Sequence, residues 1–328
     1  MPEALKKNTI IGGLAVKHVL GAGSFGITYS VEDIRTNAKF ALKEYLPSDF
    51  ARRGANNEIV VNRKDQRLFD MGLESFYTEA NLLRTLPRRE GLLSVRGLFT
   101  RHGTAYVVME LIEGKPLTEL IKKYNQAGQQ IPEKLVREFL LSIGGVLSLV
   151  HSAGLIHRDI KPDNIMVRRA DQQPILIDFG ASRQLSIRDK GVNVYTPSFA
   201  ALEQIPKSKG GPPRSLPEGP WTDIYSICVV AYEMLFAERP AKATERYAKT
   251  SIGLPDPYVS AQSRGAQRYS DDLCRLLDDG CALLPEERPL DAARFFARIA
   301  PGGVMPNVPE KQLKSRFEQP RPKAPGSI

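Results

Sequence analysis

Two short runs constrain this chain more than any other feature: His157-Arg158-Asp159-Ile160-Lys161-Pro162-Asp163-Asn164, and then Asp178-Phe179-Gly180. They set a carboxylate, a lysine and an asparagine within one loop, and a second carboxylate a short distance on. These are the groups that phosphoryl transfer needs. Asp159 can accept the proton of an attacking hydroxyl, Lys161 can steady the migrating group, and Asn164 and Asp178 can hold a metal on phosphate oxygens. A lone HRD or DFG tripeptide would carry little weight. Both together, fully spelled and in order, are hard to explain as accident.

Ordered signals stand on both sides of these runs. Upstream, Leu20-Gly21-Ala22-Gly23-Ser24-Phe25-Gly26 carries G-x-G-x-x-G, a pattern that dinucleotide sites share but follow with a helix. Here Ile27-Thr28-Tyr29-Ser30-Val31 follows, which reads as a strand. A strand–glycine loop–strand hairpin lets backbone N–H groups approach an anion closely. Phe40-Ala41-Leu42-Lys43 is an apolar strand ending in a lysine. Between Gly72 and Leu86, Phe76, Glu79, Leu83 and Leu86 recur at helical steps, which puts Glu79 on an inward stripe. A carboxylate there wants a cation, and Lys43 is the expected partner. Ala105 to Met109 reads as a buried strand, with Glu110-Leu111-Ile112-Glu113-Gly114 after it. Glu133 to Ser152 reads as a long helix, and a helix apolar all round runs from Trp221 to Phe236.

In this order the motifs resemble those of the protein kinase superfamily. Leu42-Lys43-Glu44-Tyr45-Leu46-Pro47, Gly26-Ile27-Thr28-Tyr29 and Asp223-Ile224-Tyr225-Ser226 resemble the bacterial eukaryotic-like (Hanks-type) serine/threonine kinases in particular. The resemblance implies an α+β, bilobal protein-kinase-like fold: a small antiparallel β lobe with one main helix, and a larger, mostly helical lobe. It implies a serine/threonine protein kinase that uses ATP with Mg2+ (or Mn2+) and also phosphorylates itself. Gly21, Ala22, Gly23, Ser24, Phe25 and Gly26 would then cover the phosphates, and Lys43, paired with Glu79, would contact them. Met109 would be the gatekeeper beside adenine, with backbone groups of Glu110 and Ile112 on the base and Leu20, Ala41 and Met166 as apolar plates. Thr28 stands where the family more often has valine. Asp159 and Lys161 would be catalytic, and Asn164 and Asp178 would bind the metal.

Further along, Ala201-Leu202-Glu203 occupies the place of the family's A-P-E, and Arg288 in Pro285-Glu286-Glu287-Arg288-Pro289 is the expected partner of Glu203. Thr196 sits where such kinases keep a threonine that contacts the catalytic loop. Arg158 is the residue that in the family typically meets an activation-segment phosphate. Ser186 is the only Ser or Thr between Arg183 and Tyr195, so autophosphorylation there or at Thr196 is the expected ordering event. Lys161 favours serine/threonine over tyrosine acceptors. Two positions depart from the pattern: Leu202 replaces the usual proline, and Cys228 replaces a frequent glycine.

The chain has 328 residues, 42% hydrophobic and 25% charged, ordinary for a globular protein. The expected organisation is an N-terminal extension at 1–9, a kinase domain at 10–300 (small lobe 10–111, hinge 112–114, large lobe 115–300), and a Pro-rich basic tail or linker at 301–328. The polar stretch from Pro47 to Met71 reads as a long loop with a small β excursion, and Lys207 to Pro220 as an exposed loop. No apolar run reaches the roughly 18 residues of a membrane span, no secretory h-region opens the chain, and three cysteines lack C-x-x-C spacing. The expectation is a cytoplasmic protein. The net charge of +9 suits anionic partners, but without aromatic interleaving or a nucleic-acid motif it predicts no nucleic-acid binding. The expected partners are protein substrates and a cognate phosphatase. A scaffold of the same fold would usually lack Lys43, Asp159 or Asp178. A small-molecule kinase of the aminoglycoside-phosphotransferase type would lack Lys161-Pro162 and the closure at Glu203.

Overall fold

The computed structural model describes residues 4–179, 196–213 and 215–305, which fall into two compact units. Of the described residues, the small unit comprises the chain to Arg88 and Leu93–Glu113; the large unit comprises Arg89–Leu92 and those from Gly114 onward. Gly180 and Ser186 lie outside the described residues.

In the small unit the strands are β1 (Ile10–Ile11), β2 (Leu14–Gly23), β3 (Gly26–Asp33) and β4 (Lys39–Tyr45). A hairpin of β5 (Ala51–Arg53) and β6 (Ile59–Val61), helix α1 (Gln66–Thr85), and strands β7 (Val95–Arg101) and β8 (Thr104–Glu110) follow. All strands but the hairpin form one antiparallel sheet in the order β1-β2-β3-β4-β8-β7. Because side chains alternate along a strand, register sorts this sheet into two faces. Thr28, Lys43 and Val107 stand in one cross-strand row, with Ala41 beside Met109 two residues away. Tyr29, Glu44 and Tyr106 point the other way.

Helix α1 covers the Lys43 face. Its buried stripe is Leu68, Phe69, Gly72, Phe76, Glu79 and Ala80, and Phe69 and Phe76 meet Tyr45 with ring centroids 5.2 and 5.5 Å apart. The helix thus starts at Gln66, earlier than the Gly72 expected from sequence, because Leu68 and Phe69 extend the apolar stripe back by one turn. The Pro47–Met71 stretch therefore holds both the β5–β6 hairpin and the start of α1.

On the opposite face Glu44 is fully buried. Its carboxylate accepts from Tyr29 Oη (2.8 Å), Tyr106 Oη (2.6 Å) and the Arg53 guanidinium, so a buried charge is paired and hydrogen-bonded as its environment demands. Arg53 rides on β5, and the backbone N–H of Leu5 donates to Tyr29 Oη at 3.1 Å. One carboxylate therefore ties the excursion to the sheet, and Tyr29 ties the chain's start to it.

The large unit contains β9 (Gly114–Pro116), α2 (Leu117–Gln126), α3 (Glu133–Ser152), β10 (Ile165–Arg168) and β11 (Pro174–Leu176). Then come α4 (Pro220–Phe236), α5 (Ala243–Thr250), α6 (Ala261–Gly265), α7 (Asp271–Gly280) and α8 (Ala292–Ala297). β10 pairs antiparallel with both β9 and β11. As its largely apolar surface requires, α4 is buried along nearly its whole length and packs against α3, α7 and α8. Cys228, on α4, is accommodated by Gly280: a Cβ there would lie 2.2 Å from the Cys228 sulfur. Among the described residues, α3 alone has the length and hydropathy of a membrane span, and most of that window is buried inside the protein.

Candidate active site

In the small unit, β2 and β3 close a tight hairpin: Gly23 pairs with Gly26 across Ser24-Phe25. A side chain at Gly26 would drive a Cβ to 1.8 Å from the Glu44 carbonyl oxygen, so glycine is required there by the approach of β4. Gly21 and Gly23 differ, since a Cβ at either would meet nothing within 4 Å. Protein packing therefore does not require glycine at those two positions. Ala22 and Ser24 are exposed and Phe25 is half-buried. Leu20 sits at a register shift between Val19 and Gly21 and is 47% exposed, an unusual position for a large apolar residue within a strand.

Thr28, Ala41, Lys43 and Met109 share one face of the sheet. Lys43 is half-buried, with Nζ 5.9 Å from the Phe76 ring centroid. Glu79, buried at 6% exposure, lies one turn further along the same stripe of α1. At the end of β8, the Glu110 amide donates to the Ser94 carbonyl (3.0 Å), and its side chain accepts from the Ser94 amide (3.2 Å). Ile112 is half-buried in the segment between Glu110 and Gly114.

In the large unit, the loop between α3 and β10 carries Asp159. Its carboxylate receives three donors: Lys161 Nζ at 2.7 Å, Thr196 Oγ1 at 2.9 Å and Asn164 Nδ2 at 2.9 Å. Lys161 Nζ also donates to Thr196 Oγ1 (2.9 Å), and Asn164 Nδ2 to the Asp159 carbonyl (2.8 Å). With its N–H groups turned to Asp159, Asn164 retains its amide oxygen as a donor for a hard cation. Asp178 is exposed with φ +63°, a conformation uncommon outside glycine. The segment around it is pinned: Phe179 packs against His157 at 4.5 Å, His157 Nε2 donates to the Ile177 carbonyl at 3.0 Å, and the Ile177 amide donates to the Asn164 carbonyl at 2.9 Å. Met166 is half-buried on β10, in register with Pro116 and Ile175.

Beneath this loop lies Asp223, fully buried on α4. It accepts from the backbone N–H groups of His157 and Arg158 and from His151 Nε2, each at 2.8 Å. Burial would push its carboxyl up. The His151 hydrogen bond, the nearby histidines and the Arg158 amide outweigh that and hold it below the usual range. Arg158 adopts φ +67°, and the two amide bonds donated to Asp223 fix that strained turn. From sequence Asp223 stands only as a helix residue and in the Asp223-Ile224-Tyr225-Ser226 run; a carboxylate in the first turn of a largely apolar helix is the signal that marks it.

Glu203 and Arg288 are brought together. Arg288 Nη1 meets Glu203 Oε1 at 2.7 Å with both side chains fully buried, and the guanidinium also donates to the carbonyls of Ala282 and Leu283. Thr222 Oγ1 donates to the same Glu203 oxygen at 2.7 Å. Leu202 is fully buried.

The protein kinase domain family matches residues 14–294. Serine/threonine-protein kinase PknA of Nostoc sp. is 30% identical over 308 residues, covering 90% of this chain and 49% of that protein. Serine/threonine-protein kinase PknL of Mycobacterium tuberculosis is 30% identical over 313 residues, covering 94% of this chain and 68% of the relative. The chain thus spans about half the length of the Nostoc relative. Among solved structures, the apo form of PpkA-294 is 29% identical with a TM-score of 0.75, covering 90% of this chain and 99% of that one. The kinase domain of Mycobacterium tuberculosis PknI, at 21% identity and a TM-score of 0.62, shares the fold.

Proposed function

Since the chain belongs to the protein kinase family, we propose that it transfers the γ-phosphoryl of ATP to serine or threonine hydroxyls of bacterial signalling proteins, its own chain included. The observation that carries this reading is the Asp159 carboxylate, held by Lys161, Asn164 and Thr196. In this reading Asp159 orients the acceptor hydroxyl and takes its proton, while Lys161 steadies the transferring group. Lys43, paired with Glu79, binds the α- and β-phosphates, and the backbone from Gly21 to Gly26 lies over them. Met109, Glu110, Ile112, Leu20, Ala41 and Met166 receive the adenine.

The residues fit the nucleotide and its metal. Open space at Gly21 and Gly23 suits phosphates, and the Asn164 amide oxygen with the Asp178 carboxylate makes an oxygen donor set suited to Mg2+. Magnesium, when bound, supplies charge neutralisation on the phosphates. Competent kinases of this kind turn over at roughly 1–100 per second. The reading implies protein substrates, an opposing phosphatase, and a cytoplasmic location where MgATP is abundant.

The test is incubation with labelled MgATP and a generic basic acceptor protein, beside Asp159→Ala. Label on serine or threonine with wild type only is the expected result. Equal labelling by both proteins would overturn the assignment of Asp159, and no labelling with ATP still bound would overturn the kinase reading.

A further inference from the structure

Arg158 directly precedes Asp159, and its amide, its carbonyl and its Nε each have a partner in the large unit. Its amide donates to Asp223 Oδ1 (2.8 Å), its carbonyl accepts from Gln204 Nε2 (2.7 Å), and its Nε donates to Glu218 Oε2 at 2.6 Å. The Arg158 and Glu218 side chains are 8% and 5% exposed, so this is a desolvated ion pair rather than a surface contact. A buried guanidinium requires such a counter-charge. In the resemblance to kinases, a counter-charge for this arginine was expected from a phosphorylated residue of the activation segment; the Glu218 carboxylate supplies one at Nε.

The carboxylate is delivered by a fixed piece of backbone. On one side of Glu218, the Pro217 carbonyl accepts from Trp221 Nε1 (3.1 Å); on the other, the Gly219 amide donates to Thr222 Oγ1 (3.2 Å). Thr222 in turn donates to Glu203, which Arg288 holds. Glu218 is thereby mounted on the first turn of α4, at the end of a loop that sequence alone read as merely exposed. Thr196, one of the two candidate phosphorylation sites, already donates to Asp159 and accepts from Lys161. A phosphate on it would set extra negative charge against the Asp159 carboxylate.

We infer that Glu218 is a positioning residue for phosphoryl transfer: its carboxylate holds Arg158, and through it Asp159, so that the catalytic loop is charge-complete without a phosphate. This rests on the kinase reading above, deepens it to a statement about regulation, and makes the enzyme constitutively competent.

The decisive experiment follows peptide phosphorylation by phosphatase-treated wild-type protein, shown phosphate-free by intact mass, with and without pre-incubation in MgATP. Competence without phosphate predicts a linear time course from the first readings in both cases. A lag that pre-incubation removes would overturn the inference while leaving the kinase reading intact. Silence in both arms would overturn the two together. In parallel, Glu218→Gln is expected to lower kcat about ten- to hundredfold, as for loss of a charge-assisted bond. Its KM for ATP should stay near the wild-type value, and Glu218→Asp should recover part of the rate. A Glu218→Gln enzyme with unchanged kcat would also overturn the inference. The wild-type time course decides the question even if Glu218→Gln fails to fold.

Discussion

Asp159 owes its orientation to donors that sit close to it in sequence, with one exception. Lys161 and Asn164 belong to the same loop, whereas Thr196 arrives from 37 residues away. Replacing Thr196 with valine keeps the shape and removes both hydrogen bonds at once. Since a bond to a charged group contributes about 1.5–3 kcal/mol, kcat should fall at least about tenfold. Stability should fall by a similar increment, read in denaturant unfolding, and steady-state kinetics at saturating ATP would check kcat; an unaffected kcat would show that Asp159 needs no help from Thr196. Arg288 makes a different kind of pair. It and Glu203 are both fully buried, so Arg288→Ala strands a carboxylate in the core and should cost about 3–5 kcal/mol in denaturant unfolding. These residues were legible because motif spacing announced them. Asp223 and Glu218 were not: each acts on backbone or side chains 60 or more positions away. No local periodicity marks a partner at such a distance.

At the scale of elements, glycines divide by what surrounds them. Gly26 lies against the Glu44 carbonyl, and Gly21 faces open space. Gly26→Ala should therefore wedge β3 from β4 and destabilise the protein by about 1–3 kcal/mol or more. Gly21→Ala should leave the melting temperature near wild type and act on the KM for ATP instead. Calorimetry and kinetics on the same two variants separate the effects; a Gly21→Ala protein that melts early would count against a ligand-shaped gap. The strands were readable as elements, since β-branched and apolar runs are bounded by turn residues. α3 spans the residues expected of it, and α4 differs only by its first residue, Pro220. What stayed hidden was the start of α1 and the clamp on the excursion. Leu68 and Phe69 sit in a polar stretch that masks their helical spacing. The Glu44–Arg53–Tyr29–Tyr106 cluster joins four residues from four separate strands; the pleat of the finished sheet puts Glu44, Tyr29 and Tyr106 on one side, and the β5–β6 hairpin brings Arg53 to them.

For the molecule as a whole, the carboxylates of the large unit make stability depend on acid in a definite direction. Arg137 on α3 pairs with Asp272 and Glu133, and Glu133 also accepts from Ser270. Arg246 on α5 pairs with Asp256 and donates to the Cys281 carbonyl. Distant segments of the large unit are thus tied by ionised acids. The Arg137 hydrogen bond holds Asp272 below its usual pKa. For Glu133 and Asp256, burial pushes upward, but hydrogen bonds from Ser270 and Arg137, and from Arg246, overcome it. Asp223 is shifted the same way. A depressed folded-state pKa means that the unfolded chain binds more protons at low pH. The associated stability is therefore complete above the ordinary carboxylate range, near pH 4, and is lost as pH falls through the lower folded values. The net charge of +9 at neutral pH adds to this, because protonating acids makes the chain still more positive and more self-repelling. Melting temperature should accordingly hold steady from about pH 7 to 5 and drop steeply below about 4. Scanning calorimetry across that range would check the curve, and Asp223→Asn should lower stability at neutral pH while flattening the acid limb. An acid limb as steep as wild type in that variant would move the dependence to the other three acids.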